Sequence, residues 1–129
     1  MAAAHYLTMR VHRMLNISEV NSYYGKAQVL NRMSFDIESG QIVALLGRNG
    51  AGKTTTLKSI MQLVAPRTGS VRFCDQDITN QMPHKVAKMG LGYVPEERRI
   101  FTDLTVIENL EVGRQPPRDG TLLWTQNML

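Results

Sequence analysis

Residues 41–64, QIVALLGRNGAGKTTTLKSIMQLV, set an apolar run, a glycine-rich turn and an amphipathic segment in immediate succession. Gly47, Gly52, Lys53 and Thr54 satisfy G-x-x-x-x-G-K-[ST], the loop whose backbone N–H groups cradle phosphates. The residue types follow from that task. Amides can close on phosphate oxygens only where no Cβ intervenes, which accounts for Gly47, Gly50 and Gly52. Lys53 carries a compact ammonium on a long stem and can reach over the loop to the β and γ phosphates. Thr54 offers a hydroxyl to Mg²⁺, Thr55 a second toward the α-phosphate, and the following helix presents free N–H groups and the positive end of its dipole. A bare turn between strand and helix needs one left-handed glycine and has no use for the Lys-Thr pair.

The flanks agree with this reading. IVALL at 42–46 suits a strand buried on both faces. Leu57, Ile60, Met61 and Val64 fall at i, i+3, i+4 and i+7, which predicts an apolar helix face with Lys58 and Gln62 turned outward.

With 129 residues the chain holds one domain at most. Its 15 basic and 11 acidic residues form no run of like charge that would make a nucleic-acid-binding arm, so no nucleic-acid partner is expected. A lone cysteine, Cys74, excludes an internal disulfide and a cysteine-cluster zinc site, fits a reducing compartment and reads as a packed strand residue. The longest aliphatic run is 42–46 itself, too short to span a bilayer. Work at a membrane would require another chain to hold this one there.

In chain order, residues 1–13 have no clean period and read as a disordered N-terminal extension, which leaves His5 and His12 without a role and makes either Met1 or Met14 a possible start. Residues 15–20 alternate as a short strand, 21–25 form a turn with two adjacent tyrosines, and 27–37 alternate again before the turn at 38–40. An antiparallel β element thus precedes the P-loop strand. Tyr24, beside Gly25, can offer its ring to the π-face of a base, or can pack on its own hairpin. After the P-loop helix, 66–69 turn, 70–74 form a strand and 75–77 turn again. Pro83 and Gly90 bracket a short helix with His84 on its exposed first turn. Residues 91–94 make a second buried strand, 96–101 a charged loop, and Thr105-Val-Ile-Glu108 a capping box opening a helix to Gly113. Residues 116–120 read as a linker.

YYGKAQVL, GQIVALLGRNGAGKTTTLKSIMQLVAPRTGSVRF, GLGYVPEERRIF and LTVIENL together resemble the N-terminal half of an ABC transporter ATPase over residues 14–113, most closely the LivF-type ATP-binding subunit of branched-chain amino acid importers. The resemblance implies an α/β P-loop NTPase fold with the antiparallel β subdomain first, residues 14–129 forming the N-terminal portion of the nucleotide-binding domain. It implies ATP and Mg²⁺ as ligands, Tyr24 as the adenine-stacking aromatic, and Gly47, Asn49, Gly50, Ala51, Gly52, Lys53, Thr54 and Thr55 around the phosphates, with Thr54 and Glu96 toward the metal. Glu96 stands where most of the family has glutamine and this importer subunit commonly has glutamate; a carboxylate can bind Mg²⁺ directly or through water. Glu97 and Asp75 replace usual glycines, which puts their turns in question.

Also implied are a second ATP-binding subunit as dimer partner, transmembrane permease subunits, a periplasmic substrate-binding protein acting indirectly, and a peripheral place on the cytoplasmic face of the inner membrane. The family's LSGGQ signature, the apolar strand ending in Asp-Glu and the later switch histidine do not occur in residues 1–129. The motif order thus reads as an N-terminal fragment holding phosphate-stabilising Lys53 but no catalytic base. A sheet lacking its later strands would leave 42–46 as an open apolar edge, so the chain by itself is expected to aggregate.

Overall fold

The computed structural model describes residues 13–97 and 100–114. They belong to two compact units that divide between Tyr93 and Val94. Of the predicted extension at 1–13, Arg13 is instead the first residue of a strand, where it pairs with Glu38, and 1–12 lie outside the described residues, as do the arginines at 98 and 99 and the linker at 116–120.

In the first unit a four-stranded antiparallel sheet has the order β2-β1-β3-β4, built from β1 (Arg13–Tyr24), β2 (Ala27–Glu38), β3 (Thr68–Phe73) and β4 (Gln76–Asp77). Helix α1 (Lys53–Ile60) follows β2, and α2 (Pro83–Lys88) follows β4. Leu15, Ile17 and Val20 of β1, Leu30 of β2, Val71 of β3, Ile60 and Met61 at the end of α1, Ile78 and Val86 form the buried core.

β1 and β2 are each twelve residues long, so the predicted turn at 21–25 shrinks to Gly25 and Lys26 between the paired Tyr24 and Ala27. The alternation breaks at 18–21 because of bulges. Between Ile17↔Phe35 and Val20↔Met33 the extra residue is on β1, with Glu19 at φ 51°; between Val20↔Met33 and Ser22↔Leu30 it is on β2, with Arg32 at φ 47°. Asn21 stitches both together: its Nδ2 donates to the Glu19 carbonyl (3.1 Å) and Thr68 Oγ1 (2.7 Å), and its Oδ1 accepts from Arg32 N (2.9 Å) and Gln28 Nε2 (3.0 Å). A residue read as turn chemistry therefore keeps a strand continuous. β3 crosses this bulge at Gly69, where φ is +89° and an added Cβ would overlap the carbonyls of Ser18 and Glu19.

Helix α1 departs from the predicted stripe. It ends at Ile60, so Val64 lies beyond it, and Leu57 is 43% exposed. Its buried face carries Thr55, Thr56 and Ser59 ahead of Ile60. Gln62, expected outside, is buried: Nε2 donates to the Ser59 carbonyl at 2.8 Å and Oε1 accepts from Asn80 N at 2.8 Å. Cys74 is exposed rather than packed. With Asp75 it forms the two-residue connection from β3 to β4, at φ 47° and 62°, the doubly left-handed geometry that matches the twist of a hairpin and that aspartate tolerates without glycine. The proline-first, glycine-last helix forms as predicted, with Met82 and Met89 as its caps and Gly90 at φ 114°.

Neither of the predicted buried strands at 42–46 and 91–94 is a strand. Ile42 is 100% exposed and Leu46 91%; Leu91 and Tyr93 pack part-buried on the core, while Val94 is 92% exposed. A parallel strand of this kind needs hydrogen-bonding neighbours on both edges and cover on both faces, and the described sheet is entirely antiparallel and built without them.

In the second unit α3 (Val106–Val112) opens with the predicted capping box. Thr105 Oγ1 accepts from Glu108 N at 3.3 Å, and Glu108 Oε2 accepts from Thr105 N at 2.8 Å. Asn109 returns to the preceding loop, accepting from Phe101 N at 2.8 Å and donating to the carbonyls of Phe101 (3.0 Å), Leu104 (3.1 Å) and Thr105 (3.0 Å). No helix of the described residues is long and apolar enough to cross a membrane.

Candidate functional site: a phosphate loop and an aromatic hairpin tip

The loop leaves β2 and re-enters regular structure at α1. Gly52 is the N-cap, at φ 88°, and no side chain caps the helix, so its first-turn N–H groups remain directed at whatever lies in front of the loop. That position requires glycine twice over: by its left-handed backbone, and because a Cβ would stand 2.9 Å from Leu30 Cδ2. The helix start thus rests directly on β2. Within the loop, Ala51 N donates to the Arg48 carbonyl at 3.1 Å, and a Cβ on Gly47 would stand 3.3 Å from that of Ala51. Lys53 folds back across the loop, its Nζ donating to the carbonyls of Gly47 (2.7 Å) and Arg48 (2.9 Å). The ammonium is thereby held against the loop backbone at two carbonyls, a position from which a long-stemmed cation can reach a polyphosphate.

Two contacts tie this helix to the sheet. Gly52 lies against Leu30. On the next turns of α1 the buried hydroxyls of Ser59 and Ser22 share a hydrogen bond of 2.8 Å, and Ser22 is the cross-strand partner of Leu30. Thr56, also buried, donates its hydroxyl to the Gly52 carbonyl at 3.0 Å. Ser59 and Thr56 on the buried face of α1 are thus explained by bonds to the sheet and to the end of the loop, a signal that a search for apolar periodicity passes over.

Two residues beyond Ser22, Tyr24 ends β1 at the hairpin tip and is 49% exposed, so about half of it is left uncovered by the hairpin. Its neighbour Tyr23 is covered: the Arg67 guanidinium carbon sits 4.3 Å from its ring centroid, and Arg67 Nη2 donates to the Gly25 carbonyl. Arg67 carries no motif and was not singled out from the sequence.

Of the predicted residues, the first unit therefore contains Tyr24, Gly47, Asn49, Gly50, Ala51, Gly52, Lys53, Thr54 and Thr55, of which Thr55 is buried and Thr54 half-buried. Glu96 is exposed in the second unit. Among the described residues no cluster of three or more His, Cys, Asp or Glu exists that could hold a metal by itself. The donors at the loop fit Mg²⁺ only in the usual nucleotide manner, through a hydroxyl, phosphate oxygens and water.

An uncapped helix start, a lysine bridging the loop and a strand-borne aromatic define a P-loop nucleotide-binding architecture. Residues 30–128 match the family model described as ABC transporter. The chain is 38% identical over 100 residues to the high-affinity branched-chain amino acid transport ATP-binding protein BraG of Pseudomonas aeruginosa, covering 78% of this chain and 43% of that protein. It is also 38% identical over 99 residues to the Nod factor export ATP-binding protein I of Cupriavidus pinatubonensis, covering 77% and 30%. Among solved structures, the ATP-binding subunit of an ABC transporter superposes with a TM-score of 0.68 at 31% identity, over 77% of this chain and 40% of that one. The chain belongs to the ABC transporter family, and it spans less than half the length of the curated relatives it matches.

Proposed function

We propose that the chain binds MgATP, with the phosphates held by residues 47–55 and the adenine stacked on Tyr24. The observation that carries this reading is the Lys53 ammonium bridging the Gly47 and Arg48 carbonyls above an uncapped helix start. Thr54, on the loop, is the proposed contact to the metal. As part of a whole ABC ATPase, the site would work between two ATP-binding subunits. Hydrolysis there would drive a transmembrane permease that moves branched-chain amino acids inward at the cytoplasmic face of the inner membrane, with a periplasmic binding protein delivering them. Likeness to the branched-chain amino acid transport protein BraG supports that substrate; the same 38% identity to a Nod factor export ATP-binding protein supports other cargoes as well.

A second reading is binding without turnover. Residues 1–129 contain neither the Asp-Glu strand nor LSGGQ, so no group here positions an attacking water or clamps a partner's γ-phosphate. Equilibrium binding of MgATP to the chain and to Lys53→Ala tests the common core: wild type binds and the variant loses at least tenfold in affinity. Phosphate release in the same samples separates the two readings, and cellular uptake of labelled leucine, urea or sulfate with the gene disrupted tests the cargo.

A further inference from the structure

Arg67 lies in the segment that leaves α1 and enters β3, far in sequence from the tyrosine hairpin, yet it holds that hairpin's tip in three ways. Its backbone N donates to the Asn21 carbonyl of β1 at 2.9 Å. Its guanidinium lies over the Tyr23 ring, 4.3 Å from the centroid, and donates to the carbonyl of Gly25, the residue after Tyr24. A planar guanidinium can stack on a ring and hydrogen-bond sideways at once, which an ammonium cannot. Tyr24 therefore sits between two residues, Tyr23 and Gly25, that are both fastened to one side chain. Tyr24 itself is half exposed and pairs with Ala27 across the hairpin.

We infer that Arg67 is a positioning residue for the base: by clamping Tyr23 and the Gly25 carbonyl it presents the Tyr24 ring for stacking, and it links that ring to the chain leaving the phosphate-loop helix. The inference rests on the proposed MgATP site. Since Arg67 reaches no residue of the loop at 47–55 in any of these contacts, its effect falls on the base and not on the phosphates.

The test compares ATP with inorganic tripolyphosphate, which has the phosphates and no base, on the purified 129-residue chain kept dilute enough to stay dispersed. In Arg67→Ala the backbone bond to Asn21 persists, so the fold is retained, as a urea melt verifies. ATP affinity falls about three- to tenfold while tripolyphosphate affinity is unchanged, and Arg67→Lys recovers part of the loss. A purely structural arginine would weaken both ligands in proportion, and that result would overturn the inference. So would unchanged ATP affinity in Arg67→Ala. Tyr24→Ala is the control for the underlying reading: if it leaves the ATP to tripolyphosphate ratio unaltered, the stacking role of Tyr24 and this inference fail together, and if wild type binds neither ligand the whole nucleotide site fails with them. If Tyr24→Ala lowers ATP binding alone and Arg67→Ala does not, only the inference fails.

Discussion

The bulged sheet around Asn21 and the apolar run at 42–46 make opposite use of their residues. The sheet is built from strands of ordinary mixed composition, yet it buries Leu15, Ile17, Val20, Leu30 and Val71 to 7% exposure or less. The run is the most continuously apolar stretch in the chain, yet Ile42 and Leu46 stand almost fully exposed. Apolar content alone therefore does not decide burial; available partners do. β1 and β2 are joined by a two-residue turn and find each other locally, and β3 needs only one further crossing. A strand meant for the middle of a parallel sheet has no such local partner, and its amides and side chains wait for segments far away in sequence.

The contrast can be broken most forcefully at Gly69. Gly69→Ala places a Cβ against the Glu19 carbonyl at a left-handed position, and we expect it to cost about 2–4 kcal/mol in a urea melt, enough to abolish cooperative folding in a marginal unit. Leu30→Ala empties a site that is 2% exposed and should cost about 2–5 kcal/mol, whereas Leu46→Ala, 91% exposed, should fall within about 0.5 kcal/mol of wild type. Equal costs at the two leucines would refute the distinction between the regions.

A gentler change sharpens it. If the exposed apolar run drives the self-association expected of it, Ile42→Lys with Leu46→Lys should lower light scattering without shifting the melting midpoint, and unchanged scattering would refute that expectation. In the second unit, Thr105→Ala removes the cap of α3 and should cost about 1 kcal/mol locally, seen as faster amide exchange in 106–109 with no change in the sheet.

The smallest effect is the pH response. Hydrogen bonds from Arg32 hold the Glu19 carboxyl below its ordinary range, and those from Thr79 and Thr105 do the same for Asp77 and Glu108. A depressed carboxylate stabilises the fold at pH above its unfolded value, about 4, and that contribution disappears as pH falls through 4 toward the folded value. Urea midpoints should be flat from pH 7 to about 5 and then decline; a rise on acidification would contradict the assigned bonds.

Much of the site could be read directly from residue types. The glycines and the Lys-Thr pair of 47–54 follow from what phosphate demands of a backbone, the Pro83 and Gly90 bracket from φ preferences, and the Thr105–Glu108 box from helix-end chemistry, each a local rule that needs no distant partner. Gln62, Cys74 and Asn21 were misplaced because what decides them is not local. Gln62 turns inward to meet Asn80, Cys74 is rolled outward by the β3–β4 connection, and Asn21 reconciles two bulges with Thr68, 47 residues away.

By itself, then, the sequence determined the glycine and lysine pattern of the phosphate loop, the ends of α2, the cap of α3 and the antiparallel start of the domain. These are set by short-range sterics and hydrogen bonding within a few residues. Only the tertiary structure decided which apolar residues are buried, that the hidden face of α1 is polar and locked by Ser22 to Ser59, and that Arg67 grips the tip carrying Tyr24. The reason is physical: burial and side-chain pairing depend on what chain folding brings alongside, and residues 42–46 show that even an unmistakable strand pattern stays open when nothing does.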